Sequence, residues 1–95
     1  MLSMEVTYTV VLMHEEVGGF SVSVPALRGC HTQGETVPEC LDMAREAIQG
    51  MIAAMQKHDK AIPEDVAEFP LELGEALDAL VYRVTVPIEE AALVA

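Results

Sequence analysis

Cys30 and His31 stand side by side between a strand-like run and the one long helical pattern. A thiol next to an imidazole suggests nucleophilic catalysis, with the ring drawing the proton from sulfur. Adjacency argues against that reading, because successive side chains on an extended segment point to opposite faces. His14 and His58 lie far from Cys30 in sequence, and no spacing places either beside it. Cys30 is therefore expected to be a small buried thiol.

Other chemistries meet similar obstacles. Cys30 and Cys40 are separated by nine residues, and no closely spaced histidine pair follows, so the pattern of a structural zinc site is absent. Metal-assisted nuclease chemistry needs carboxylates clustered on adjacent strands. The middle of the first strand-like run, Thr7-Tyr8-Thr9, contains none. Gly18-Gly19 and Gly34 belong to neither common phosphate-binding loop. The expectation is a protein with no catalytic residue, no metal ligand and no cofactor.

Sixteen acids against five bases give a formal charge of −11. Nucleic-acid affinity requires Lys and Arg to neutralise phosphates, and five scattered bases make no patch. The same field attracts a basic protein partner, although acidity also serves solubility alone. The 95 residues suffice for one domain, 1–95, and 52% of them are hydrophobic. In so short a chain that apolar content predicts extra burial in a homodimer or higher homo-oligomer. The N-terminus shows no signal-peptide pattern and no apolar run reaches membrane-spanning length, so a cytoplasmic protein with reduced thiols is expected.

The elements that must position these residues follow from periodicity. Met4 to His14 alternates as a strand, with Met4, Val6, Tyr8, Val10 and Leu12 on one face. Val11 and Met13 make its other face apolar near the end, an expected contact for a neighbour. Glu15 to Gly19 reads as a hairpin connection, and Phe20 to Val24 as the returning strand. Pro25 ends that pairing, Gly29 to Gln33 forms a short third strand, and Gly34 permits the turn out of it.

Thr36-Val37-Pro38-Glu39 fits a capping box, with Pro38 in the first helical turn. Val37, Leu41, Ala44, Ile48, Met51 and Met55 then form one apolar stripe over about six turns. Residues 61–79 hold six acids and no base, and read as an acidic irregular connection with a short turn after Pro63 and breaks at Pro70 and Gly74. Leu80 to Val86 is the last strand, ended by Pro87, with 87–95 as a short apolar tail. The predicted fold is α+β in the order β-β-β-α-β: an antiparallel sheet of three to four strands with one long helix packed on one face.

Tyr8, the run from Gly19 to Pro25, Leu27 to Thr36, Glu39, Ala44, Ala47-Ile48 and Ile62-Pro63 together resemble the HicB-type antitoxin domain. The Gly-Cys-His-Thr-Gln-Gly run with its helix cap is the most specific part. Pro38-Glu39-Cys40 departs from the family, where two acids and an alanine are common. The resemblance implies a partial ribonuclease-H-like fold without the ribonuclease-H carboxylates. It implies a non-enzymatic protein that binds a small basic HicA-type toxin, an mRNA-cutting ribonuclease, and neutralises it. Full-length members often carry a C-terminal DNA-binding module. Nine residues without a base follow Val86, so a stand-alone form without direct DNA or RNA binding is expected. Glu15, Glu16, Glu64, Asp65 and Glu68 are the expected partner-binding residues. Pro25, Gly29, Gly34, Thr36 and Glu39 are the expected structural ones. The alternative is an orphan homo-oligomeric domain that binds another protein or a small ligand.

Overall fold

The first strand, β1 (Ser3–His14), uses its alternation to bury Tyr8, Val10 and Leu12 on one face. The computed structural model describes residues 3–68 and 78–89. A hairpin closed by the Glu15 N–H on the Gly19 carbonyl (3.1 Å) leads to β2 (Phe20–Ser23), antiparallel to β1 from Val11↔Ser23 to His14↔Phe20. Next come β3 (His31–Gly34), the helix α1 (Val37–Lys57) and β4 (Leu80–Glu89). β4 pairs with β1 from Ser3↔Glu89 to Leu12↔Leu80. The sheet order is β3-β2-β1-β4, with every neighbouring pair antiparallel and α1 on one face. The predicted α+β architecture is the one observed.

The helix starts and stops for identifiable reasons. Thr36 sits in extended backbone and its Oγ1 accepts the Glu39 N–H (3.3 Å). Glu39 Oε1 reaches back one residue beyond the usual capping box, to the Glu35 N–H (3.4 Å). At the other end the His58 N–H bonds the Ala54 and Met55 carbonyls, and Asp59 takes the left-handed conformation (φ 55°). Cys40, Ala44, Ile48 and Ile52 are the fully buried line, while Val37, Leu41, Met51 and Met55 flank it half-buried. The stripe is thus rotated slightly toward Cys40 and Ile52. Their partners across the core are Tyr8, Val10, Leu12, Val22, Val84, Val86 and Ile88. Burying each of the larger aliphatic side chains contributes roughly 1.5–3 kcal/mol relative to exposure.

Between β2 and β3 the chain makes a tight corner. Leu27 N–H bonds the Val24 carbonyl, Cys30 N–H bonds the Leu27 carbonyl, and Val24 N–H bonds the Cys30 carbonyl, at 2.9 to 3.1 Å. Gly29 has φ 80°, which a Cβ would strain. The corner plugs Leu27 into the core, a residue that periodicity did not single out.

Main-chain parity explains two departures from expectation. In an antiparallel pair a residue either exchanges both hydrogen bonds with its opposite or turns both groups away. The Thr9 N–H goes to Asp65 Oδ1 (2.8 Å) rather than to β4, so Thr9 and its register partner Arg83 form a non-bonded pair. Counting by twos, Val81, Arg83, Thr85 and Pro87 all turn their main-chain groups toward the outer edge of β4. Pro87 was expected to end the strand, and it does not: it pairs with Glu5 in register, and β4 continues to Glu89. Proline is tolerated there because its missing N–H lies on the outward side, where no ladder bond is lost. The expected tail therefore begins inside the strand, with Ile88 in the core, while its part from 90 to 95 lies outside the described residues.

Residues 61–68 show no helical turn after Pro63. Pro70, Glu72, Gly74 and Glu75 lie outside the described residues. Val11 is only 2% exposed within the single chain, so it offers no surface to a second copy. No described helix is long and apolar enough to cross a membrane.

Candidate functional site

Cys30 and His31 diverge as an extended segment requires, with the thiol buried and the imidazole exposed. Burial pushes the Cys30 thiol up from its ordinary range. Burial also raises Cys40, helped by the negative charges of Glu39 and Glu35. A thiol held protonated is a poor nucleophile. His14 instead packs on Phe20, ring centroids 4.4 Å apart.

The expected structural residues each have a local task. Pro25 follows β2 and begins the corner. Had the pairing continued, Pro25 would stand opposite Thr9, and it has no N–H to offer. Gly34 serves close packing rather than a turn. It lies in β3 opposite Phe20, and a Cβ on it would come within 2.8 Å of Cys40 Sγ and 3.0 Å of the Cys40 nitrogen. The end of β3 is thereby pressed against the first turn of α1.

The expected partner-binding acids separate into two groups. Glu15 and Glu16 are exposed in the hairpin. Glu15 lines a cleft of about 490 Å³ with Glu35, Glu39, Val17, Phe20 and Met43. Val17, at the hairpin tip, is 98% exposed. Neither Glu35 nor Met43 was singled out from sequence. Glu35 sits just before the helix cap and Glu39 in the first turn, so the start of α1 supplies two of the three cleft acids, and a helix start favours negative side chains.

The second group lies where residues 62–65 cross the other part of β1. Glu64 and Asp65 line a smaller cleft of about 320 Å³ with Val6, Tyr8, Ile62 and Ile88, and Glu68 is exposed nearby in sequence. Asp65 is already engaged. Its Oδ1 accepts the Thr9 N–H (2.8 Å) and its Oδ2 accepts the Thr9 Oγ1 hydroxyl (2.7 Å). Thr9 is only 5% exposed, so the carboxylate satisfies a buried amide that β2 leaves unpaired. Beside it the Tyr8 hydroxyl donates to the Pro63 carbonyl (2.6 Å). Burial, and secondarily the Asp65 charge, raise the Tyr8 pKa above the usual phenol range. These three bonds tie the acidic connection to β1. His14 lies five residues beyond Thr9 on β1, so the two groups of acids stand roughly 17 Å apart along the strand.

A family model described as the HicB_like antitoxin of bacterial toxin-antitoxin system matches residues 8–76. A UPF0150 protein of Thermoplasma acidophilum is 48% identical over 61 residues, 64% of this chain and 88% of that protein. A toxin–antitoxin complex from Streptococcus pneumoniae contains a chain of the same fold, with TM-score 0.70 at 19% identity over 87% of this chain and 69% of that one. The N-terminal domain of the Burkholderia pseudomallei antitoxin HicB shares the fold at TM-score 0.59 and 24% identity, over 85% of this chain and 95% of that domain. The chain belongs to the HicB-like antitoxin family.

Proposed function

We propose that this chain is a non-catalytic antitoxin that binds a small basic HicA-type toxin and stops it from cutting mRNA. The observation that carries the reading is the family match over residues 8–76. The charge of the chain supports it: a body of −11 attracts a protein rich in Lys and Arg and repels RNA, the toxin's own substrate.

The hairpin acids Glu15 and Glu16, with Glu35 and Glu39 across the cleft, offer carboxylates beside the exposed Val17 and half-buried Phe20. Basic side chains with apolar stems fit such a surface. Glu64 and Glu68 extend the acidic surface along the connection. Asp65 contributes by holding that connection in place, since both its oxygens are used by Thr9. The site of action is the cytoplasm, where the mRNA is.

The test is co-expression with a small basic HicA-type toxin, taken from beside this gene where one is encoded there, followed by an mRNA-cleavage assay with the purified pair. A stable complex and protected mRNA are expected, with binding that weakens as salt rises. Charge reversal at Glu15 and Glu16 is expected to weaken the complex. If the toxin cuts mRNA at full rate in the presence of excess antitoxin, the reading is wrong.

A further inference from the structure

The outer edge of β4 has a feature separate from the acids proposed above to meet the toxin. Among the described residues β4 is an edge strand of ten residues, whereas β3 at the opposite edge has only four. Parity set by the Thr9–Asp65 bond turns the N–H and carbonyl groups of Val81, Arg83 and Thr85 outward. Val81 is 51% exposed, and Arg83, Thr85 and Pro87 are exposed as well. A long strand with unpaired groups templates pairing with another strand.

We propose that a second copy of this chain pairs with this edge, β4 antiparallel to β4, to give a continuous eight-stranded sheet. Self-pairing about a two-fold axis requires outward-facing residues to meet outward-facing residues, and centring the axis on Thr85 does this. Thr85 Oγ1 is already bonded to Thr7 Oγ1 at 2.7 Å, in register across β1 and β4 on the exposed face. A Thr85-centred axis extends that pair into a row running Thr7, Thr85, Thr85 of the partner subunit and Thr7 of the partner subunit. Each hydroxyl both donates and accepts, so the row can be bonded throughout. Threonine pairs are favourable cross-strand neighbours. The axis also sets Arg83 opposite Pro87 of the partner subunit. A register centred on Arg83 would place guanidinium opposite guanidinium, which is destabilising. Counting Pro87 as acceptor only, the Thr85 register makes about eight main-chain hydrogen bonds between the subunits.

Charge gives the dimer a distinctive salt response. Each chain carries −11, so the two copies repel over long range. Raising salt from about 0.01 M to about 1 M shortens the screening length from roughly 30 Å to roughly 3 Å. Dimerisation therefore strengthens with salt, the opposite of an acidic antitoxin gripping a basic toxin.

Sedimentation equilibrium across a salt series tests this on the full chain. The expected result is a species of twice the 10.3 kDa chain mass that grows with salt. Thr85→Pro removes the central outward N–H without costing a main-chain bond to β1, as Pro87 does naturally; it gives up only the exposed hydroxyl bond to Thr7 and should leave a folded monomer. Thr85→Cys should cross-link with a short bifunctional maleimide. Val81→Cys should not, because its copy lies about 27 Å along the partner strand. A wild-type monomer at every salt concentration overturns the proposal. So does a folded Thr85→Pro dimer, or cross-linking at residue 81 in place of 85. Should Thr85→Pro fail to fold, the cross-linking pattern decides alone.

Discussion

Replacing Asp65 with alanine removes both oxygens that hold Thr9. The amide it leaves behind belongs to a residue only 5% exposed and has no strand partner, because β2 pairs with β1 only as far as Val11↔Ser23. A hydrogen bond to a charged group contributes about 1.5–3 kcal/mol, and an unsatisfied buried donor costs about 1–3 kcal/mol. The hydroxyl can rotate to another acceptor or to water, whereas the amide cannot, so the amide sets most of the cost. Alanine is therefore expected to lose about 2–4 kcal/mol, a large part of the roughly 5–15 kcal/mol that holds such a domain together. Asparagine keeps a carbonyl oxygen for the amide and presents an NH2 to the hydroxyl, which can accept. Its loss should be about 1 kcal/mol. Urea unfolding measures both: with a slope of about 1–3 kcal/mol per molar, alanine shifts the midpoint down by about 1–3 M. Hydrogen exchange at the Thr9 amide gives a local readout, and its protection should fall in Asp65→Ala more than that of the Val10 amide. The reasoning fails if alanine costs under about 0.5 kcal/mol, or if asparagine costs as much as alanine.

Three further outcomes follow from the packing. Gly34→Ala drives a methyl to within 2.8 Å of Cys40 Sγ and should destabilise by about 1–3 kcal/mol in urea unfolding. Cys40→Ala in the same chain should recover only part of that, since the Cys40 nitrogen and Cα remain close. Thr36→Ala removes the oxygen that accepts the Glu39 N–H and should cost about 1 kcal/mol, seen as a lower Tm. Cys30, Cys40 and Tyr8 all have pKa values raised by the fold. Below the ordinary thiol range both folded and unfolded states keep these protons. Above it the unfolded chain loses them first and the native state binds more, so stability falls as pH rises through the alkaline range. A pH series of Tm values, flat near neutrality and descending on the alkaline side, checks the sign.

How much was legible depends on whether a residue's role is set by its own stretch of chain. Alternation in 4–14 and 80–86 and the Thr36 cap with its helical stripe are local, and they appear as expected. Pro87 was misjudged because the cost of a proline depends on which way its nitrogen faces, and that is decided by pairing with a strand some eighty residues away. Asp65 looked like one more partner-binding acid of the connection, since nothing in its neighbourhood announces an orphan amide at Thr9. A signal did exist: Pro25 ends β2 while β1 runs on toward the N-terminus, so donors on that side of β1 had to find a partner elsewhere. Glu35 and Glu39, on either side of the helix cap, joined Glu15 only once the helix was laid on the sheet. Leu27 sits in a corner with no periodicity to betray it.

The register that joins β1 to β4 also orders events in time. Synthesis proceeds at about 5–20 residues per second, so β1 waits roughly 4–16 s before its longest partner has been made. The hairpin and the helix can assemble earlier, and the Thr9–Asp65 tie becomes possible once residue 65 emerges. Through that interval Val6, Val84's future neighbour Tyr8, and Val10 present a strand open along the side β4 will take. The last described strand thus acts as a closing seam, and a ribosome that stalls before it leaves an exposed template for unwanted pairing.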